Sequence, residues 1–260
     1  MPERLTGFDA KIERAKKHIG EIKVAVRTFI DSAPYEVFTY SEIESKVWVW
    51  AIDVGKDPPP DLASILGDVL NNLRSALDYL AWELAAGRGN DQLSFPISQT
   101  EQGFKAAVKG IENLGVGNAA VKLLLATQAY KGGNGHGLWQ LHQLNRREKH
   151  RFLMPVGAAI REIVIDVAAQ IKAFGWVSAQ YPSSLSALPT EPKFPLKDGT
   201  IVYRIAPSAW SRGVGLNPKF TFYLAFGEGE SFDGEPILPT LTHLSQLVEE
   251  TIKPFRPLLS

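Results

Sequence analysis

Residues 66 to 85, LGDVLNNLRSALDYLAWELA, form the pattern that most constrains how this 260-residue chain can fold. On a helical projection of about 100° per residue, the apolar side chains of this segment fall within an arc of about 140°. They are Leu66, Val69, Leu70, Leu73, Ala76, Leu77, Leu80, Ala81 and Leu84. An apolar arc of this width predicts a helix that packs against a core.

The polar residues of the same helix lie on two flanks that border the apolar arc. One flank contains Asn71, Arg74, Asp78 and Trp82, and the other contains Asp68, Asn72, Tyr79 and Glu83. Arg74 and Asp78 stand one helical turn apart and can form an ion pair. Polar groups beside a core lose water, so we expect these groups to find partners inside the protein.

A second helix, predicted over residues 137 to 149, offers such partners. Its apolar stripe gives way to polar residues, which include His142, Asn145, Arg146 and Lys149. We therefore expect Arg74 and Asp78 to contact the NRREKHR segment, residues 145–151. Such a cluster is either a buried ionic network that fixes the register of two helices or a catalytic or ligand site. The residues alone leave both interpretations open.

The rest of the first 150 residues is also mainly helical in pattern. Apolar residues at three- and four-residue steps predict an amphipathic helix over residues 8–29, and Pro34 ends it. Shorter helical patterns follow at about 101–112 and 118–130. Residues 35–53 contain two β-rich runs around a short polar connection, which predicts a hairpin. Both faces of its second run are apolar, so we expect each face to be covered.

From Arg151 onward the pattern changes to strands. The segment RFLMPV, residues 151–156, is short and β-like, and residues 162–173 suit either a strand or a helix, with a strand favoured for the first half. GTIVYRIA and KFTFYLAF are clear strands, and in the second Phe220, Phe222, Leu224 and Phe226 share one face. Spaced apolar residues from Leu241 to Phe255 predict a terminal helix.

Together these elements predict a single α+β domain over residues 1–260. Residues 1–150 form the mainly helical part, with the hairpin at about 35–53, and residues 151–260 form the strand-rich part. About five helices would make a layer packed on an antiparallel sheet, which the early hairpin and the C-terminal strands would build together.

Composition excludes several classes of function. Lys and Arg number 28, as do Asp and Glu, so the formal charge is zero and does not indicate a broad RNA-binding surface. The chain has no Cys, which excludes disulfides, thiolate nucleophiles and Cys-based zinc sites. No segment approaches the ~18 to 20 apolar residues of a membrane span, and no apolar signal segment is present. We therefore expect a cytoplasmic protein without a membrane partner.

Other motifs of the chain bear on metal and anion sites. The five His residues form no H-E-x-x-H pair, so we expect no metal and no cofactor. KGGNGHG, residues 131–137, precedes a helix and could bind an anion, but it lacks the phosphate-loop spacing and predicts a mobile loop.

The six Trp residues usually fill cores. The alternative is a pocket walled by Trp48 or Trp50 together with Trp82, with Arg74 at its mouth, suited to an aromatic or anionic ligand. The candidate ligand-binding residues are Asn71, Trp82, His142, Asn145 and Arg146.

Three motifs of this chain resemble those of a family of uncharacterised bacterial proteins, common in actinobacteria. The first is the GD-x-x-x-NLRSALD helix, with Gly67, Asp68 and residues 72–78. The second is FPI, residues 95–97, and the third is the KHR motif of Lys149, His150 and Arg151. The resemblance spans most of the chain and implies no known activity.

A weaker resemblance links the chain to HEPN ribonucleases. That family carries an Arg, four to six residues and then a His on one helix, and its members work as dimers with these residues at the interface. Tyr79 stands where the motif would place its His after Arg74, and Arg146 and His150 are separated by only three residues. The chain thus departs from the motif, and proton transfer would need His150 from the other helix.

Two hypotheses of function follow. The first is a cofactor-free ligand-binding or accessory protein that forms a homodimer through its helices, with a small ligand or protein as partner. The second is a hydrolase, such as a HEPN-like ribonuclease. In it His150 would be the general acid or base, Asp78 would orient it, and Arg74 and Lys149 would stabilise negative charge. The enzyme needs Arg74 in a cleft that solvent can reach, whereas the binding protein needs it sealed and paired.

Overall fold

The computed structural model describes residues 7–44, 47–90, 93–151, 156–165, 185–187, 195–205, 219–227, 232 and 234–259. Within these ranges, the side chains of residues 48, 147–151, 156, 161, 165, 185–187, 203 and 205 are not described.

The described residues form six α-helices, six strands and a terminal 3-10 helix. The helices are α1 (Gly7–Asp31), α2 (Asp61–Leu84), α3 (Glu101–Glu112), α4 (Asn118–Thr127), α5 (His136–Arg151) and α6 (Ile237–Ile252), followed by the 3-10 helix Lys253–Leu258. The strands are β1 (Tyr35–Glu42), β2 (Val47–Val54), β3 (Val156–Ile165), β4 (Leu185–Ala187), β5 (Ile201–Ile205) and β6 (Lys219–Phe226). The α+β class predicted from the sequence is confirmed.

The chain is organised as two compact units that do not follow the division at residue 150. The helical unit comprises residues 1–24, 60–154 and 237–260. The sheet unit comprises residues 25–59 and 155–236. Each unit is therefore assembled from segments far apart in sequence. Among the residues with described positions, no helix is long and apolar enough to cross a membrane.

All strand pairs in the sheet unit are antiparallel. The predicted hairpin is present, with β1 paired to β2 from Tyr35↔Val54 to Glu42↔Val47. Strand β5 pairs with the other edge of β2, so the early hairpin does join a C-terminal strand. The remaining strands form a second sheet in the order β4-β3-β6, so the described strands divide between two three-stranded sheets.

Strand β2 is covered on both faces, as its sequence predicts. Val49 and Ala51 are on one face and are at most 1% exposed. Trp50 and Ile52 are on the other face, where Trp50 is 5% exposed and Ile52 is fully buried. A strand buried on both sides needs apolar residues at consecutive positions, which explains the run VWVWAI.

Helix α2 is longer than its apolar arc suggests. It begins at Asp61, directly after the proline run, because Pro60 has a helical backbone conformation and lacks the N–H that a helix start leaves unpaired. All nine residues of the predicted apolar arc are buried. The helix ends where Ala86 and Gly87 adopt left-handed conformations and the N–H of Gly87 donates to the carbonyl of Trp82.

Two boundaries in the second half of the chain differ from the prediction. Arg151 ends α5 and does not begin a strand, since the helical hydrogen bonding continues through the whole polar segment after Asn145. Strand β3 covers residues 162–165, as favoured, whereas residues 166–173 lie outside the described part of the chain.

Candidate functional site

Arg74 lies at the centre of the polar network on α2 and is only 5% exposed. Its Nε donates to Nδ1 of His142 on α5 over 3.3 Å. Its Nη1 donates to Oδ1 of Asp78, and its Nη2 donates to the backbone carbonyl of Phe95 over 3.2 Å. Each guanidinium nitrogen of Arg74 therefore donates to an acceptor inside the protein.

Asp78 also binds the backbone of Phe95. Its Oδ1 also accepts the backbone N–H of Phe95, over 2.9 Å. The two charged side chains thus bind both the donor and the acceptor of one residue whose own side chain is 1% exposed. We call Arg74, Asp78 and the backbone of Phe95 the Phe95 clamp.

The segment after Phe95 is anchored on its other side as well. The N–H of Ser98 donates to the carbonyl of Ala129, and Nε1 of Trp139 donates to Oε1 of Gln99 over 3.1 Å. Thr100 then caps α3 by accepting the N–H of Gly103. The segment from Phe95 to Thr100 has little regular structure, so the Ser98–Ala129 bond supplies a partner that its backbone would otherwise lack.

The structure places the predicted α5 residues unequally around the clamp. Contact from Arg74 to α5 is made by His142, one turn before the predicted segment 145–151. Asn145 is 4% exposed, and its Oδ1 has no hydrogen-bond partner among the described residues. Arg146 is exposed. The side chains of Lys149 and His150 lie outside the described part of the structure, and so do the contacts predicted for them.

The geometry of the clamp suits a structural role better than a catalytic one. Arg74 would have to break at least one internal bond before it could bind an anionic substrate. Nδ1 of His142 accepts a hydrogen bond from Arg74, so this ring nitrogen is engaged within the network. Among the side chains that the structure describes, no three His, Asp or Glu residues are grouped as metal ligands would be.

The glycine-rich turn before α5 owes its composition to close packing. A Cβ on Gly133 would lie 2.4 Å from the carbonyl oxygen of Gln128, and one on Gly135 would lie 2.3 Å from that of Thr127. The N–H of Gly132 donates to Nδ1 of His136. These contacts give the turn a structural reason for its glycines.

A cavity of about 660 Å³ lies within the helical unit at the C-terminal end of α2. We call it the Trp82 cavity. Its lining includes Trp82, Glu83, Gly87, Val116, Gly117 and Leu258. Trp82 is 40% exposed. Neither Arg74 nor Trp50 lines this cavity, and Arg74 is held in the Phe95 clamp. The predicted pocket between Trp48 or Trp50 and Trp82 stays a prediction.

Glu83 is the ionisable residue of the Trp82 cavity, and its surroundings disfavour its charge. Burial raises the pKa of Glu83, and the nearby carboxylate of Asp9 raises it further, while a hydrogen bond from the backbone of Gly7 opposes both effects. Asp9 itself is paired with Arg256, whose Nη1 donates to Oδ2 over 3.0 Å.

Comparisons with protein families, curated proteins and solved structures find no match to this chain. The resemblances described above therefore stay predictions.

Two of the segments that carry the bacterial-family resemblance meet in the Phe95 clamp. Arg74 and Asp78 belong to the NLRSALD helix, and Phe95 begins the FPI motif. The sequence identified both segments but gave no sign that one binds the backbone of the other. Of the residues that line the Trp82 cavity, the sequence singled out Trp82 as a candidate ligand-binding residue. Part of the lining comes from the distant start of α4 and from the C-terminal 3-10 helix, which no local pattern connects to Trp82.

Proposed function

We propose that this protein is a cofactor-free binding protein whose ligand site is the Trp82 cavity, and that the Phe95 clamp is structural. The observation that carries the proposal is a large aromatic side chain left 40% exposed on the wall of a cavity of about 660 Å³. Small-molecule sites are typically cavities of about 300–1,000 Å³ lined by apolar and aromatic side chains.

The burial of Arg74 supports the binding interpretation over the hydrolase one. A ribonuclease built on Arg74 would need its guanidinium to reach a phosphate, and here that group is buried and bonded to three partners. Buried charged groups that are fully hydrogen-bonded typically fix the arrangement of their helices. The homodimer and the cytoplasmic location stay predictions.

The proposal is tested with N-phenyl-1-naphthylamine, an uncharged probe whose fluorescence rises in an apolar site. The wild-type protein should bind the probe with a saturable increase in fluorescence. The blocking variant is Gly117→Leu. Gly117 lines the cavity, its φ of −64° suits any L-residue, and a Cβ there would meet no atom within 4 Å. A leucine should therefore occupy the cavity and not strain its wall.

The matched control is Gly20→Leu on α1. A Cβ at Gly20 also meets nothing within 4 Å, and Gly20 does not line the cavity. We expect probe binding to be lost in Gly117→Leu and kept in Gly20→Leu. The proposal is overturned if the wild-type protein does not bind the probe, or if both variants bind it equally well.

A further inference from the structure

The ionisable side chain in the lining of the Trp82 cavity is acidic. Of the residues that line it, Glu83 alone is ionisable, and the others are apolar or glycine apart from the indole of Trp82. Among the residues whose positions are described, the cavity therefore offers a carboxylate and no basic side chain. A ligand with a positive charge would complement this lining, whereas an anionic ligand would meet a like charge.

Two further features of the same wall favour a cation. The wall includes Leu84, the last residue of α2, and Ala86 and Gly87, which follow it. The helix dipole carries partial negative charge at this end. Trp82 presents an indole, the aromatic ring that binds cations most strongly through its face. Gly87 lies against this ring and has no side chain to cover it.

Among the described residues, the neighbours of Glu83 do not compensate its charge. The backbone N–H of Gly7, which carries no full charge, donates a hydrogen bond to its carboxylate. The neighbouring ionic group is Asp9, of the same sign, and the nearby Arg256 is already engaged by Asp9. Burial and Asp9 together raise the pKa of Glu83, as expected where a carboxylate loses water beside a like charge.

We propose that the Trp82 cavity binds a small amphiphilic amine, with the ammonium group between Glu83 and the Trp82 ring and an apolar group against Val116 and Leu258. This inference rests on the proposed function, because it assigns a ligand class to the same site. The first turn of α4 also lines the cavity, and its backbone amides favour an anion, so an anionic analogue is the competing ligand.

Three compounds with one phenylpropyl skeleton separate these chemistries. They are 3-phenylpropylamine, 3-phenylpropan-1-ol and 3-phenylpropanoate, each titrated calorimetrically at pH 7 and checked by displacement of N-phenyl-1-naphthylamine. The amine should bind about tenfold or more tightly than the alcohol, since it adds an ion pair and a cation–π contact. The carboxylate should bind more weakly than the alcohol.

The source of the preference is tested with Glu83→Gln. The Gln carbonyl can still accept the N–H of Gly7, so the variant removes the charge and keeps the hydrogen bond. We expect the amine and the alcohol to bind this variant with similar affinity.

A second measurement uses the wild-type protein alone. Affinity for the amine should fall as the pH drops through the raised pKa of Glu83, while affinity for the alcohol should stay constant. Asp9 is the other carboxyl group close to Glu83, and it is paired with Arg256.

The outcomes distinguish this inference from the proposed function. If the three compounds bind equally, or if the carboxylate binds most tightly, the amine class is overturned while the binding function stands. If the amine keeps its advantage in Glu83→Gln and at low pH, Glu83 is not its partner and the inference fails. If neither the uncharged probe nor any of the three compounds binds, the proposed function itself is refuted.

Discussion

Replacing Arg74 by methionine tests the Phe95 clamp, and the size of the effect can be estimated from the contacts that are lost. Methionine keeps most of the aliphatic length of the Arg74 side chain and removes the guanidinium. The apolar packing of this side chain therefore changes little. The loss removes the donors to Asp78, to the carbonyl of Phe95 and to His142. We expect Arg74→Met to fold with a clearly lower free energy of unfolding.

The magnitude follows from what is left without a partner. A buried carbonyl that loses its donor costs about 1–3 kcal/mol, and a hydrogen bond to a charged group contributes about 1.5–3 kcal/mol. The Asp78 side chain is 36% exposed, so water replaces part of its lost interaction. The sum is about 3 kcal/mol, at the lower end of the range for breaking a buried pair.

Arg27 and Asp31 provide the control, because they form the same Arg–Asp pair at the same helical spacing. Their side chains are 84% and 69% exposed, against 6% and 36% for Arg74 and Asp78. Arg27→Met should change stability by less than about 0.5 kcal/mol. Urea denaturation followed by circular dichroism measures both variants. A loss below about 1 kcal/mol for Arg74→Met would refute the reasoning, because it would place the clamp among surface pairs.

Three further predictions concern other parts of the molecule. Gly135→Ala should lower the free energy of unfolding by about 1–3 kcal/mol, since its Cβ would overlap the Thr127 carbonyl. Gly20→Ala in the middle of α1 should raise it by about 0.5–1 kcal/mol, and thermal unfolding of both variants checks the two values. The raised pKa of Glu83 means that the folded protein binds this proton more tightly, so stability should fall as pH rises through that pKa, and Glu83→Gln should lack this fall in a pH series of urea melts. Burial, with Asp57, raises the pKa of Tyr35 to about 12, so stability should also fall between about pH 10 and 12. Burial and Glu235 also raise the pKa of Tyr223, so ultraviolet titration should show more than one late tyrosinate, and Tyr35→Phe should remove the one near pH 12. An unchanged curve in that variant would disprove the assignment.

The fold was largely predictable because its elements obey simple periodicities. The nine apolar residues of α2 recur at helical spacing and are all buried. In β2, an unbroken apolar run predicts that both faces of the strand are covered, and they are. The pairing of the strands into sheets was not predictable in the same way. Strand β5 joins the early hairpin and β6 joins β3, although β5 and β6 have similar patterns. Alternation fixes which face a residue occupies but not which strand lies beside it.

The site was predicted only in part for a related reason. Side-chain chemistry identified Arg74 and Asp78 as groups that need partners, and they have them. However, two of those partners are the backbone N–H and carbonyl of Phe95, which every residue except proline possesses, so no residue type marks them. The lining from the start of α4 and from Leu258 comes together only through the tertiary fold.

Amide hydrogen exchange at Phe95 tests the central claim most directly, namely that the polar side of α2 is engaged inside the protein. In the wild-type protein the N–H of Phe95 donates to Asp78 and should exchange slowly. In Asp78→Ala it should exchange at least about tenfold faster, while the N–H of Ser98, bonded to the carbonyl of Ala129, keeps its protection. If Phe95 exchanges at the same rate in both proteins, Asp78 does not hold this backbone and the clamp does not exist.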